Sequence, residues 1–302
     1  MSRDIVKKIE RLKRERRAVI LVHNYQRGEV QDIGDMVGDS LGLSREAGAT
    51  DAAVIVFCGV HFMAETAKIV SPAKTVLIPD PNAGCPMANM VTERELAGWR
   101  RKHPDAIVVT YVNSTARVKA LSDVCCTSAN AVEIVRSLPP DREILFVPDR
   151  NLGRYAEKMT GRKLTLWPGY CPTHARILPE HVERARAEHP DAVVVVHPEC
   201  SEAVIDMADH VASTTGIVRF CRETTAREVI VGTESGILHR LRKENPSKEF
   251  YPASPVADCP NMALTTLEKV LWSLEDMAYE VTVPEDVRKE AWNAIEKMLA
   301  TG

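Results

Sequence analysis

The sequence predicts an α/β protein of three similar three-layer αβα units with short parallel sheets, set about a pseudo-threefold axis with the candidate site at the centre. Three observations carry this expectation. Short runs rich in β-branched residues alternate with helical segments. They are apolar on both faces, the pattern of parallel strands covered by helices on each side. One stretch also repeats: His103-Pro-Asp-Ala-Ile-Val-Val109 returns 86 residues later as His189-Pro-Asp-Ala-Val-Val-Val195. Finally, a Cys-Pro pair occurs three times, at Cys85, Cys171 and Cys259, spaced 86 and 88 residues apart.

The elements follow in chain order. The basic run Lys7 to Arg17 has Ile5, Ile9 and Leu12 at helical spacing, so it reads as a solvated amphipathic helix and not as an arm for nucleic acid or membrane. Ala18–Val22 and Ala53–Phe57 are the first strands, and a β-like run from Thr75 to Ile78 leads into the first Cys-Pro loop. Ile107–Thr110 and Glu143–Val147 belong to the second unit, Ala192–Val196 and Glu228–Val231 to the third. The repeat aligns Asp35, Asp123 and Asp209; it aligns Ser40 with Ser128 and Thr214, and His23-Asn-Tyr25 with Tyr111-Val-Asn113 and His197-Pro-Glu199. Boundaries follow at 1–84, 85–170 and 171–261. Two helical stretches, Leu264–Met277 and Pro284–Leu299, are expected to pack back on the first unit, so that 262–302 completes it.

Composition excludes several classes. A net charge of −3 with acids and bases interleaved argues against a nucleic-acid surface. No apolar run of membrane-spanning length and no signal-peptide pattern occurs, which predicts a cytoplasmic protein without a membrane partner. In a reducing compartment eight cysteines without any Cys-x-x-Cys point to metal ligands or buried apolar thiols, not to a disulfide framework.

A threefold axis brings equivalent positions together, so the three Cys-Pro loops should meet. Three thiolates at one centre suit an iron-sulfur cluster with one iron free of protein, or a zinc with one open position. Cys58, Cys125, Cys126, Cys200 and Cys221 have no threefold counterparts and read as buried apolar residues. A second layer comprises His23 with Tyr25, Tyr111 with Asn113, and His197 with Glu199, each pair just past the carboxyl end of a strand, where open α/β sheets bind ligands. In a third layer Ser40, Ser128 and Thr214 open helices. Hydroxyls there are ordinary N-caps, yet the same helix ends attract anions. Together the layers describe a metal, anion seats and acid/base residues.

The chain also resembles the quinolinate synthase family over essentially its whole length. The likeness rests on His23-Asn-Tyr-Gln, Gly38-Asp-Ser40, Gly59-Val-His-Phe-Met-Ala-Glu65, Tyr111-Val-Asn-Ser-Thr115, Thr127-Ser-Ala-Asn130, Pro148-Asp-Arg-Asn-Leu-Gly153 and His197-Pro-Glu-Cys200. The resemblance implies a [4Fe-4S] cluster on Cys85, Cys171 and Cys259. It implies condensation of iminoaspartate with dihydroxyacetone phosphate to quinolinate, releasing phosphate and water, and an enzyme supplying iminoaspartate as a partner. Substrate contacts carry over to His23, Ser40, Tyr111, Asn113, Ser128, His174, His197, Glu199, Ser213 and Thr214, with Glu199, Tyr25 and His23 in the catalytic roles. Two departures stand out. Some members carry Cys-x-x-Cys-x-x-Cys around the third ligand, where Cys259-Pro-Asn-Met262 has one thiol. Ser-Thr-Gly is common where this chain has Ser213-Thr-Thr-Gly216. The rival classes are an electron-transfer protein, a three-cysteine zinc hydrolase and a metabolite-binding module.

Overall fold

The computed structural model describes residues 2–301. Its first sheet is formed by β1 (Ala18–His23), β2 (Met36–Gly38), β3 (Val54–Cys58) and β4 (Thr75–Leu77), interleaved with α1 (Ser2–Glu15), α2 (Gly28–Gln31), α3 (Ser40–Ala49) and α4 (His61–Val70). The second unit repeats the series with α5 (Glu93–Lys102), β5 (Ile107–Tyr111), α6 (Ala116–Ala120), β6 (Val124–Cys126), α7 (Ala131–Ser137), β7 (Ile144–Val147), α8 (Arg150–Thr160) and β8 (Thr165–Leu166). The third has α9 (Pro179–Glu188), β9 (Val193–Val196), α10 (Glu202–Ile205), β10 (His210–Val211), α11 (Thr214–Glu223), β11 (Glu228–Gly232), α12 (Ile237–Glu244) and β12 (Glu249–Pro252). Helices α13 (Leu267–Asp276) and α14 (Glu285–Ala300) follow.

All three sheets are parallel and share one order, with the second strand of each unit outside the first, and the third and fourth on its other side. Register repeats too: Leu21 faces Met36, Val109 faces Val124 and Val195 faces His210. Alternate strand residues enter opposite layers, since the side-chain period of a strand is two. Ile20, Val22, Val54 and Val56 pack with residues of α1 and α13, while Leu21, Ile55 and Phe57 pack with α3 and α4. In the third unit Val194, Val196 and Ile230 face α9 and α10, and Val195, Val229 and Val231 face α11 and α12. This is the αβα sandwich in each case.

The aligned aspartates prove structural. Asp35 accepts the Ile20 amide at 2.8 Å, Asp123 the Val108 amide at 2.7 Å and Asp209 the Val194 amide at 2.7 Å. Each also pairs with a base on the first helix of its unit, Lys13, Arg100 or Arg186, at 2.9 to 3.0 Å. One residue thus ties strand to helix in all three copies.

A short 3-10 turn follows each Cys-Pro pair, at Met87–Asn89, His174–Arg176 and Met262–Leu264. The next helix then covers the following sheet: α5 packs on the second through Leu96, α9 on the third through Val182, and α13 on the first through Val270 and Leu274. This succession closes the ring. Helix α14 departs from the expectation that both C-terminal helices pack on the first unit. It lies mainly against α6 and β6 of the second and touches α4 of the first. The reason is coverage: β6 is an edge strand, and α6 has only five residues, so Ala291, Ala294, Ile295 and Met298 fill the space beside it. Asn130 donates to the carbonyls of Met298 at 3.1 Å and Thr301 at 2.8 Å and fastens its end.

Candidate active site

In the strand order of each unit the chain reverses direction between the first and third strands. The loops leaving these two strands therefore part and leave a crevice at their carboxyl ends. The three crevices face one another around a single cavity of about 530 Å³. Cys85, Cys171 and Cys259 line it, together with His23, Tyr25, Ser40, Tyr111, Asn113, Ser128, His174, His197, Glu199 and Thr214. Ser213 does not; its hydroxyl caps α11, accepting the Gly216 amide at 3.2 Å.

The hydroxyl layer differs from the N-cap reading. Asp39 caps α3 and Ser213 caps α11, so Ser40 and Thr214 are the first helical residues and their hydroxyls are spared that duty. Ser128 precedes α7 by three residues, because Asn130 turns back to accept the Thr127 amide at 2.8 Å and the helix begins only at Ala131.

Two pairs share a local design. The Tyr25 amide donates to Nδ1 of His23 at 3.2 Å, and the Glu199 amide donates to Nδ1 of His197 at 3.3 Å. Each ring thus carries its proton on Nε2. Burial favours the neutral ring, lowering His23 to about 4 and His197 to about 3 despite the Glu199 charge. Nε2 of His197 then donates to the Ser128 hydroxyl at 3.0 Å.

Glu199 is the hub. Burial alone would raise its pKa. His174 Nδ1, 2.7 Å from Oε2, together with His197 and the Tyr111 hydroxyl, instead holds it below the usual carboxylate range. Asn113 adds a bond at 3.3 Å. From His174 a chain of polar atoms continues: Nε2 lies 2.8 Å from the Thr233 hydroxyl, which lies 2.5 Å from the Tyr25 hydroxyl. Burial, and then the Glu199 charge, pushes Tyr25 well above the ordinary phenol value, so its hydroxyl keeps its proton at neutral pH. The chain from Tyr25 through Thr233 and His174 to Glu199 can pass a proton across the cavity floor.

Two cysteine loops are held from behind. Oε1 of Glu234 accepts the Cys259 amide at 3.2 Å, and the Arg150 amide, next to Asp149, donates to the Gly169 carbonyl at 2.9 Å just ahead of Cys171. Burial raises Glu234 to about 8 and, with the Glu199 charge, raises Asp149. Gly236 has no room for a side chain: a Cβ would lie 2.7 Å from the Tyr25 carbonyl and 2.8 Å from Glu234. Thr233, Asp149 and Glu234 escaped the sequence reading. Each directly follows the third strand of its unit, or lies two residues beyond it, a position the repeat could have flagged, but their residue types do not match.

Two donor sets could hold a metal. Cys171, His174 and Glu199 have ligand atoms within 4.8 Å of one another, but His174 and Glu199 already satisfy each other. The three loop cysteines are free thiols lining the cavity, near enough for Cys85 to sense the charge of Cys259 and for Cys171 to sense that of Cys85. Burial pushes Cys85 up to about 12 and Cys171 and Cys259 upward. With Arg176 the only lysine or arginine that lines the cavity among the described residues, protein charge does not make these thiols nucleophiles. A positive metal centre deprotonates coordinating thiols outright, so the donor set fits a metal better than it fits covalent catalysis.

A ring of three doubly wound units sharing one cavity, with apolar walls and polar side chains from all three, defines an enzyme whose site no single unit can form. Residues 7–300 match the family described as quinolinate synthetase A protein. The chain is 57% identical over 301 residues to quinolinate synthase of Geobacter metallireducens and, equally, to that of Geotalea uraniireducens, covering 99% of both chains in each case. With the Desulforudis audaxviator enzyme the identity is 57% over 300 residues. The chain belongs to the quinolinate synthase family and is an enzyme of NAD biosynthesis. Among the described residues no helix is long and apolar enough to cross a membrane.

Proposed function

We propose that this enzyme condenses iminoaspartate with dihydroxyacetone phosphate, forming quinolinate, phosphate and two waters in the cytoplasm. Cys85, Cys171 and Cys259 would hold a [4Fe-4S] cluster, and an enzyme that makes iminoaspartate would supply the site. When bound, the cluster supplies a Lewis acid at the iron that lacks a protein ligand. The observation that carries the reading is the meeting of all three Cys-Pro loops in the cavity that also holds Glu199, Tyr25 and His23.

Proton movement falls to this chain's own residues. Glu199, ionised and anchored by His174, accepts a proton from a substrate carbon or nitrogen, and Tyr25 donates one to a departing hydroxyl. The Thr233–His174 link returns the proton between them. Neutral His23 offers its Nε2 proton to a substrate oxygen. Ser40, Tyr111, Asn113, Ser128, His174 and His197 orient the substrates, and Thr214 with Ser213 seats the phosphate at the start of α11, where backbone amides and the helix dipole favour an anion. Within the cavity the apolar walls of Val60, Phe62 and Met63 limit water.

Anaerobic purification, iron and sulfide analysis, and a quinolinate assay with dihydroxyacetone phosphate and freshly generated iminoaspartate test the proposal. A brown, active protein is expected, and a colourless, inactive one overturns it. The Cys171, His174 and Glu199 donors favour a second reading, a single zinc for hydrolysis, which the same metal analysis would reveal.

A further inference from the structure

Thr214 sits where the phosphate seat is proposed, yet a hydroxyl can donate or accept, and only its neighbours decide which. Two residues outside the cavity lining make that decision. Arg240 of α12 reaches across to the first unit. Its Nη1 donates to the Val37 carbonyl at 2.7 Å and to Oδ1 of Asn24 at 2.8 Å, and its Nε is held by Glu244 at 2.6 Å. A guanidinium has only donors, so the Asn24 amide oxygen must face it. An asparagine whose orientation is otherwise ambiguous is thereby fixed. Its Nδ2, also only a donor, points to Oγ1 of Thr214 at 2.8 Å.

Thr214 therefore accepts on that side, and its own proton has to leave in another direction. Among the described residues no acceptor takes it, and Thr214 is 3% exposed and lines the cavity. Asn24 is fully buried and lies between His23 and Tyr25, which both line the cavity, as Asn24 does not. The second unit reaches the same polarity by different means, since Nε2 of His197 donates to Ser128.

We propose that Arg240 and Asn24 are positioning residues: they hold the Thr214 hydroxyl as a donor into the cavity, so that this seat takes an anionic oxygen of a phosphate group. The inference deepens the proposed function and rests on its assignment of the phosphate to this seat.

Asn24→Asp is the sharpest variant. The carboxylate keeps the Arg240 pair and the shape but accepts the Thr214 proton, turning the hydroxyl away from the cavity. The holoenzyme variant should show a KM for dihydroxyacetone phosphate raised about 10- to 100-fold, the loss of one hydrogen bond to a charged group, with kcat changed far less. Inorganic phosphate, titrated calorimetrically into the holoenzyme, should weaken by a similar factor. Thr214→Val should lose as much, Thr214→Ser should retain binding, and the Asn24→Asp, Thr214→Val double variant should be no worse than Thr214→Val alone. Arg240→Met should fall between wild type and Asn24→Asp, with partial rescue by Arg240→Lys. Unchanged binding in Asn24→Asp overturns the inference. So does a loss that persists undiminished in the Thr214→Val background, because a general charge or folding defect does not depend on that hydroxyl. Failure of the wild type to make quinolinate would instead defeat the proposed reaction, while the phosphate titration would still decide the relay.

Discussion

Two sets of cysteines in this chain teach opposite lessons from one side chain. Cys58, Cys125, Cys126, Cys200 and Cys221 sit inside the hydrophobic layers, on or beside strands and helices. Cys85, Cys171 and Cys259 sit in loops, half-buried, around the cavity. Burial raises the pKa in both sets, pushing Cys125 and Cys221 up to about 12 just as it does Cys85. Acidity therefore does not separate ligand from filler. What separates them is whether the thiol is enclosed in an apolar layer or lines the cavity shared by the three units.

The comparison breaks most decisively at the loop cysteines. Cys85→Ser should reduce bound iron and sulfide to background and abolish turnover, while far-ultraviolet circular dichroism stays that of the wild type. Retained iron would remove Cys85 from the ligand set. Next in size, Glu199→Gln should keep the cluster, seen in its absorption spectrum, and lower kcat by roughly 10²- to 10⁴-fold, the usual worth of a positioned acid or base. Full turnover with an intact cluster would end its assignment as base.

A third effect appears with pH. His23 has its pKa lowered to about 4, against 6.5 for an unperturbed ring. Between these values the unfolded chain binds a proton that the folded one refuses, so stability falls as pH drops from 6.5 toward 4. The slope is at most roughly 1.4 kcal/mol per pH unit for this ring. Urea melts of the cluster-free Cys85→Ser protein at pH 7 and 5 should show the loss, and adding His23→Gln should shrink it; an unchanged slope would mean that the ring is charged when folded. The core cysteines come next. Cys58→Ala should retain full iron and lose about 1 kcal/mol of stability through the small cavity left behind. A similar figure, about 1 kcal/mol, is expected for Ser213→Ala from the loss of the α11 cap, together with a higher KM for dihydroxyacetone phosphate; a KM equal to wild type would confine Ser213 to capping.

Much of this arrangement is legible in the chain. The His-Pro-Asp-Ala repeat and the Cys-Pro pairs fix the equivalence of positions, and equivalence about an axis forces convergence. Asp35, Asp123 and Asp209 show the limit: the repeat flags them as strongly as it flags the cysteines, yet they bind strand amides and helix bases and do not line the cavity. Periodicity identifies matched places without telling an inward from an outward one. Glu234 shows the converse, because it holds the Cys259 loop with a residue type that its aligned positions do not share, and so leaves no repeat to find.

By itself, then, the sequence determined the three units, their parallel sheets, the matched thiols and the polar pairs, because strand periodicity and repetition are properties of a chain read in order. Only the tertiary structure decided that α14 covers the second unit, that Glu199 is held by His174, and that Arg240 sets the direction of the Thr214 hydroxyl through Asn24. Those three depend on atoms more than 20 residues apart meeting within about 3 Å, and a hydrogen bond's direction exists only once both of its partners are in place.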